Sequence, residues 1–407
     1  MTFDALVLNA SLRQALVTVR SLGRRGLRVA AAAHVRKAPA FSSRWCRHGF
    51  LFPPEEATEA YLETLEQWLD TLGAGGAGGP TIIPSHDGTI ALLRRHRDRL
   101  GQRARLALAD EPALAIAVNK ELTSAVAKRL GLLVPREALV RGVDDVPAAI
   151  GEIGLPAVIK PCESWLSTNG NGTRVAPELV ITADETRAAV ARTTEHGGTV
   201  LLQQLLTGRR EAVSFLYARG EFYARFAQWA RRTHPPLGGA SVLRQSIAIP
   251  SDIGRQAEAL IREIDLEGYS EVEFRRDSSG VPHLMEINPR LSASVEIAVR
   301  AGVDFPSLLY QWASGSSLAK QNGYRVGRWM RHLGGDIETM VDSIQQRGRP
   351  GISRPVRTVV DFGTTFFKPM SYDYFDWQDP LPAVSAATGF VRTTFRRLRS
   401  RMRKVFQ

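Results

Sequence analysis

Glu271-Val-Glu-Phe-Arg-Arg-Asp-Ser-Ser-Gly-Val-Pro-His-Leu-Met-Glu-Ile-Asn-Pro-Arg290 is the stretch of this chain whose reading decides its fold. It reads as two strands, Ser270–Phe274 and His283–Ile287, around a turn at Asp277–Gly280. Side chains alternate along a strand, so Glu271 and Glu273 share one face, and Glu286 and Asn288 share one face of the partner strand. A four-residue turn pairs Arg276 with Val281 and hence Glu273 with Leu284. In that register Glu273, Glu286 and Asn288 fall on the same face, with the two carboxylates as diagonal neighbours. Clustered carboxylates repel unless a cation sits among them. Carboxylate and amide oxygens are hard ligands suited to Mg²⁺, and the lack of His or Cys in the cluster argues against zinc. The competing reading is an exposed hairpin whose acids pair with Arg275, Arg276 or Arg290.

Working outward, the segment 116–315 carries two lysines with a common pattern. Asn119–Leu130 reads as a helix opening on Lys120, with Gly131 as its stop and Pro135 in the loop beyond. Pro156-Ala-Val-Ile-Lys-Pro161 reads as a strand ending on Lys160, and Cys162–Gly172 as a mobile loop rich in Ser, Asn and Gly. Val200–Leu202 starts another strand, and Ala212–Leu216 and Glu221–Phe226 form an antiparallel pair around Arg219–Gly220. Residues 1–115 open as strand, helix, strand. Ala5–Leu8 is followed by Leu12, Ala15, Leu16, Val19 and Leu22 at helical spacing, with Gly23 and Gly26 ending the helix before Leu27–Ala33. No Gly-rich phosphate fingerprint follows the first strand, so no dinucleotide is assigned. Thr58–Leu72 reads as a helix, Gly73–Gly79 as a flexible loop, and Thr81–Pro84 as a strand. Ser85-His-Asp-Gly88 then sits where parallel sheets face their ligands, or simply caps the next helix.

Five motifs in this order resemble the ATP-grasp superfamily, in particular its carboxylate–amine ligases and the ATP domains of biotin carboxylase and the carbamoyl-phosphate synthetase large chain. Glu286-Ile-Asn-Pro-Arg290 is similar to the family's E-x-N-P-R signature, and Asn119–Lys120 and Val158-Ile-Lys-Pro161 resemble its two phosphate-contacting lysines. Ser164–Gly172 falls where the family has a Gly-rich lid, and Leu202-Gln-Gln-Leu-Leu-Thr-Gly-Arg-Arg-Glu211 resembles the hinge under adenine. The resemblance implies an α/β fold: an α+β ATP-grasp domain (116–315, its lid 116–199 and its metal and substrate part 200–315) preceded by a Rossmann-like α/β domain (1–115). It implies ATP and Mg²⁺ as cofactors, with Mn²⁺ as the alternative ion, and Glu273, Glu286 and Asn288 as metal ligands. Lys120, Lys160, Ser164, Gln203, Gln204, Leu206 and Glu211 would hold ATP. Arg290 and Arg244 would stabilise an acyl-phosphate, and Arg231 and Ser241, on a Pro/Gly-framed loop from Arg231 to Arg244, would grip the acid. The implied activity joins a small-molecule carboxylate to an amine with release of ADP and phosphate. The alternatives are a bicarbonate-using carboxylase or carbamoyl-phosphate-type enzyme, and a non-catalytic ATP-binding protein.

Composition bounds the rest. With 44% hydrophobic and 23% charged residues and two cysteines, the chain reads as a globular protein of a reducing, cytoplasmic compartment, without a signal peptide. Of its net charge of +12, seven basic side chains lie in 391–407 with no acid among them, which leaves the rest at +5. A specific nucleic-acid partner is therefore not expected. The extension 316–407 ends in Val391, Phe395, Leu398, Met402 and Val405 at helical spacing among arginines. This basic amphipathic tail is expected to pack on the body, to meet a partner, or to lie on the inner face of a membrane. A homodimer is a further expectation.

Overall fold

The computed structural model describes residues 2–71, 79–168, 171–195 and 197–405, with the side chains of 167, 168 and 395–405 left aside. The first sheet holds five parallel strands, β1 (Ala5–Val7), β2 (Val29–Ala33), β3 (Cys46–Leu51), β4 (Thr81–Ile83) and β5 (Arg105–Leu106), in the order β3-β2-β1-β4-β5. Alternation sends Ala5 and Val7 towards the core beside helix Arg13–Arg24, and Leu6 and Leu8 towards the core beside helix Thr58–Thr71. Both faces are covered, which is why β1 and β2 read as unbroken apolar runs. Gly23 does not stop its helix. It lies inside it, where a Cβ would come within 2.6 Å of the Trp45 Cβ, and Gly26, at φ +83°, is the terminator. Most of the Gly73–Gly79 run lies outside the described residues.

The next layer contains β6 (Glu137–Val140), β7 (Ala157–Pro161), a hairpin of β8 (Trp165–Thr168) and β9 (Asn171–Arg174), then β10 (Glu178–Val180) and β11 (Val200–Gln204). Four of these form an antiparallel sheet, β10-β7-β11-β6, backed by helices Val146–Ile153 and Ala183–Thr194 through Ile159, Val190 and Leu202. The expected mobile loop at Cys162–Gly172 is largely the β8–β9 hairpin, with residues 169 and 170 outside the described set. Trp165 anchors it in a buried position, Gly172 lies against that ring, and the Gly172 N–H donates to the Glu56 carbonyl at 2.8 Å.

The largest sheet has seven strands: β12 (Arg210–Ala218), β13 (Glu221–His234), β14 (Ala240–Ile247), β15 (Gly268–Arg276), β16 (Pro282–Asn288), β17 (Trp329–Arg331) and β18 (Ser371–Tyr372). Their order is β16-β15-β12-β13-β14-β17-β18. Arg219 and Gly220, at φ 51° and 77°, make the β12–β13 turn, where both central residues need positive φ. Val213, Phe215, Val272 and Phe274 on one face pack against helix Ser251–Glu263 and leave the other face for a cavity. Two strands from beyond residue 316 extend this sheet, and helices Leu333–Gln345 and Pro355–Thr364 cover its far end. The segment after β18 docks on the first helix through ion pairs, with the Tyr374 ring packed against the same core. Asp373 meets Arg13, Asp379 meets Arg20 and Asp376 meets Arg24, while Trp377 stays exposed. Helix Leu381–Val405 carries the expected tail. Its stripe beyond Val391 lies outside the described side chains, and Leu381, Val384 and Val391 are exposed.

Candidate active site

The hairpin that opened the sequence reading is built differently in detail and to the same effect. The connection Asp277–Val281 has five residues, so Arg276 lies opposite Pro282 and Phe274 opposite Leu284. Continued unchanged, that register would turn Glu286 to the face away from Glu273. A bulge between Glu273 and Phe274, with Met285 the extra residue, moves the pairing by one and sets Glu273 directly opposite Glu286 and Glu271 opposite Asn288. The two carboxylates are thus cross-strand partners, closer than the expected diagonal.

Their surroundings are cationic. Lys120 Nζ lies 3.9 Å from Glu286 Oε2 and 3.0 Å from Ser164 Oγ, and Arg210 forms a short ion pair with Glu273. The Asn288 amide donates to Glu273 Oε1 at 3.2 Å and Glu286 Oε1 at 3.4 Å, so the three side chains converge on one point. Burial pushes the Glu273 carboxyl up to about 7. Arg210 opposes that rise, while Glu286 and Glu271 add to it. Burial acts upward on Glu286 too, but Lys120, Lys160 and Arg210 hold it below the usual carboxylate range. Two facing carboxylates, one of them reluctant to ionise, fit a hard divalent cation. Asn288 would offer its oxygen by a turn of the amide.

Glu273, Glu286, Asn288, Arg210, Lys160 and Ser164 line a cavity of about 1040 Å³ between the three sheets. At one end stand Val158, Lys160, Gln203, Gln204, Leu206, Glu211 and the bulged Met285. Gln203 is buried. Its Nε2 donates to Glu137 at 3.2 Å, and its Oε1 has no partner among the described residues, as suits an acceptor awaiting an amino group. The oxygens of Glu211 are engaged by Arg209 at 2.9 Å and Arg276 at 2.6 Å, so a ribose hydroxyl would share them. Burial lowers the Lys160 ammonium to about 8, against the pull of Glu286. An anion binds the protonated form, so nucleotide affinity is expected to stay level below about pH 8 and to fall above it, by up to about tenfold per pH unit. Calorimetric ADP titrations from about pH 6.5 to about pH 9.5 check this, and Lys160→Arg should flatten the profile.

Arg290 and Ser241 also line the cavity, Arg290 held by Asp87 at 2.6 Å, and the Ser241 hydroxyl is buried without a partner among the described residues. Two expected residues do not reach it. The presumed loop Arg231–Arg244 is mostly strand, β13 into β14, with a turn only at 235–239, and strand geometry sends these side chains elsewhere. Arg244 is fully buried and forked onto Asp373 at 2.6 and 2.9 Å, and Arg231 pairs with Asp361 outside the cavity. The sequence reading also passed over several wall residues. Asp87, read as either ligand-facing or a helix cap, is held below the usual range by Arg290 despite burial. Arg210 faces the trio. Glu271 is buried and accepts from Gln228 at 2.9 Å and Ser214 at 3.2 Å, with no cationic partner among the described residues. Strand parity with Glu273 was the available signal for Glu271.

A family model described as ATP-grasp in the biosynthetic pathway with Ter operon matches residues 196–332. The D-alanine–D-alanine ligase of Anaeromyxobacter dehalogenans (strain 2CP-C) is 27% identical over 228 residues, covering 51% of this chain and 69% of that one. Among solved structures, biotin carboxylase from Campylobacter jejuni superposes with a TM-score of 0.62 at 15% identity, over 80% of this chain and 74% of that one. The L-amino acid ligase from Bacillus licheniformis superposes with a TM-score of 0.57 at 16% identity, over 77% and 75%. At such identities the two structures speak for the fold alone. Fold, ordered motifs and relatives agree: the chain is similar to the ATP-grasp superfamily, on its carboxylate–amine ligase-like side.

Proposed function

We propose that this chain is an ADP-forming ligase in which a substrate carboxylate attacks the γ-phosphate of ATP, giving an acyl-phosphate and ADP. An amine then displaces phosphate from the acyl carbon, forming the amide and releasing a proton. The observation that carries this reading is the convergence of Glu273, Glu286 and Asn288 opposite Lys160 in one cavity, with Lys120 behind Glu286 at 3.9 Å. Glu273, Glu286 and Asn288 would hold Mg²⁺, or Mn²⁺ in its place, which offsets charge on the phosphates when bound.

Phosphoryl transfer needs positioning and charge rather than a protein nucleophile. Lys120 and Lys160 supply compact charges for the phosphate tail, with Ser164 beside Lys120. Gln203, the Gln204–Leu206 backbone and Glu211 receive the nucleoside. Arg290 is fixed by Asp87 at 2.6 Å and needs no reorganisation to stabilise the acyl-phosphate. The free hydroxyl of Ser241 marks the acid's end of the cavity. Arg244 shapes that wall through Asp373 without touching the acid, and Glu271 is the counter-ion for the amine's ammonium group. The lid hairpin and its neighbours exclude water, which would hydrolyse the intermediate.

A screen of acids against amines, read as ADP release with mass detection of conjugates, tests this. The expected outcome is ADP release that requires a carboxylate, with a product lighter by one water than acid plus amine. Bicarbonate-dependent turnover without an organic acid would assign the carboxylase alternative instead, and ATP binding without turnover across the panel the non-catalytic one. Folded protein that never binds ATP with Mg²⁺ sinks the reading. No helix among the described residues is long and apolar enough to cross a membrane. Homodimer formation and a lipid- or protein-facing tail belong to the same proposal. Sedimentation and liposome flotation, with and without 391–407, check them.

A further inference from the structure

Beside the first cavity opens a second, of about 420 Å³, with a different character. Six arginines line it, Arg209, Arg210, Arg231, Arg232, Arg275 and Arg357, and Asp361 is the one acid among its described lining residues. Four of these cations have carboxylate partners. Arg209 pairs with Glu211, Arg210 with Glu273, Arg231 with Asp361, and Arg232 with Asp361 and Asp336.

The other two have none among the described residues. Arg275 is buried, and the bond given for its guanidinium runs to the Leu206 carbonyl at 3.1 Å. It also lies directly opposite Arg210 in the β12–β15 register, an arrangement of like charges that is unfavourable unless an anion intervenes. Arg357, on helix Pro355–Thr364 across the cavity, has no ionic or hydrogen-bonding partner among the described residues. A buried charge without its counter-ion is costly, so buried Arg275, with the exposed Arg357 facing it across one polar cavity, describes an anion site. Its roof, helices Leu333–Gln345 and Pro355–Thr364, lies beyond residue 332, where the family match ends.

We infer that this second cavity binds a compact multivalent anion, of the polycarboxylate or phosphate-ester class, clamped between Arg275 of the sheet and Arg357 of the covering helix. Arg210 and Arg275 line both cavities, so the anion lies next to the metal trio. It is either a remote acidic group of the carboxylate substrate or a separate anionic effector.

The test is calorimetry on the full chain saturated with ADP and Mg²⁺, using citrate and, separately, inorganic phosphate as probes. Citrate is expected to bind saturably, and Arg357→Glu and Arg275→Met each to weaken it about tenfold or more. Arg357 is exposed, so its variant keeps the test clear of folding defects. Absence of saturable binding of both probes to the unaltered chain overturns the proposal, as does binding by Arg357→Glu equal to that of the unaltered chain. The measurement does not require turnover, so it can fail or succeed independently of the ligase reading. Once an acid substrate is in hand, citrate competing with it and a raised KM in Arg357→Glu identify the substrate as the anion's source. Citrate altering kcat at an unchanged KM identifies an effector.

Discussion

Glu286→Gln is expected to reduce ADP release by about 10²–10³-fold or more while leaving the thermal unfolding midpoint almost unmoved. The substitution keeps the shape of the side chain and removes one charge from a half-buried pair that sits directly cross-strand. Two effects then compound. The cation loses one of its two carboxylates, and Lys160 loses the attraction that opposes its depression to about 8. Its ammonium therefore falls further and more of it is neutral at working pH. Stability changes little because the opposing contributions are similar. Relief of the Glu273–Glu286 repulsion offsets the loss of a counter-ion for Lys120 and Lys160. Steady-state ADP release and Mg²⁺-dependent ADP binding, with melting curves as the control for folding, check this. Retention of full turnover would remove the trio from the mechanism.

The parts of this site that the sequence made legible are those set by short-range periodicity. Alternation alone put Glu273, Glu286 and Asn288 on one face, and Lys120 and Lys160 stand at the start of a helix and the end of a strand as read. The correct face was nevertheless reached through two errors that cancel. A four-residue turn was read where five residues connect the strands, and the bulge at Met285, which has no sequence signature, restores the phase. Less legible were contacts between distant elements. Arg290 and Asp87 are 203 positions apart, and nothing local marks their pairing. Arg244 reads as an available cation on a Pro/Gly-framed loop, yet its counter-ion Asp373 lies 129 positions downstream and takes the guanidinium into the interior. The β8–β9 hairpin was hidden by its Ser, Asn and Gly content, because its order comes from burial of Trp165 rather than from propensity. Each miss is a case where tertiary pairing decided what local composition left open.

Asp373 is the position where such long-range pairing should show most in stability. Its side chain is almost completely buried and takes one bond from Arg13 at 2.8 Å and two from Arg244 at 2.9 and 2.6 Å. Burial acts upward on its carboxyl, but Arg244 and Arg13 outweigh it and hold the group well below the usual range. Asp373→Asn leaves two buried guanidiniums facing an uncharged amide, and breaking a buried pair from one side costs about 3–5 kcal/mol. The sign of the pH dependence follows. A depressed carboxylate contributes stability that is complete above its unfolded value, near 3.9, and is lost as pH falls through the lower folded value. The gap between the two proteins should therefore be constant from neutrality down to about pH 4–5 and narrow only below that. Urea denaturation at several pH values measures it, and an unfolding free energy within about 1 kcal/mol of the unaltered chain would refute the account. The same substitution has a predictable functional signature. Arg13 also donates to the Ser241 carbonyl at 3.2 Å, and Tyr374, next to Asp373, lines the cavity. The acid's end should therefore loosen while the nucleotide end, walled by Lys160 and Gln203, keeps its ADP affinity. A raised KM for the acid at unchanged ADP binding would locate the ion cluster on the substrate side of the reaction.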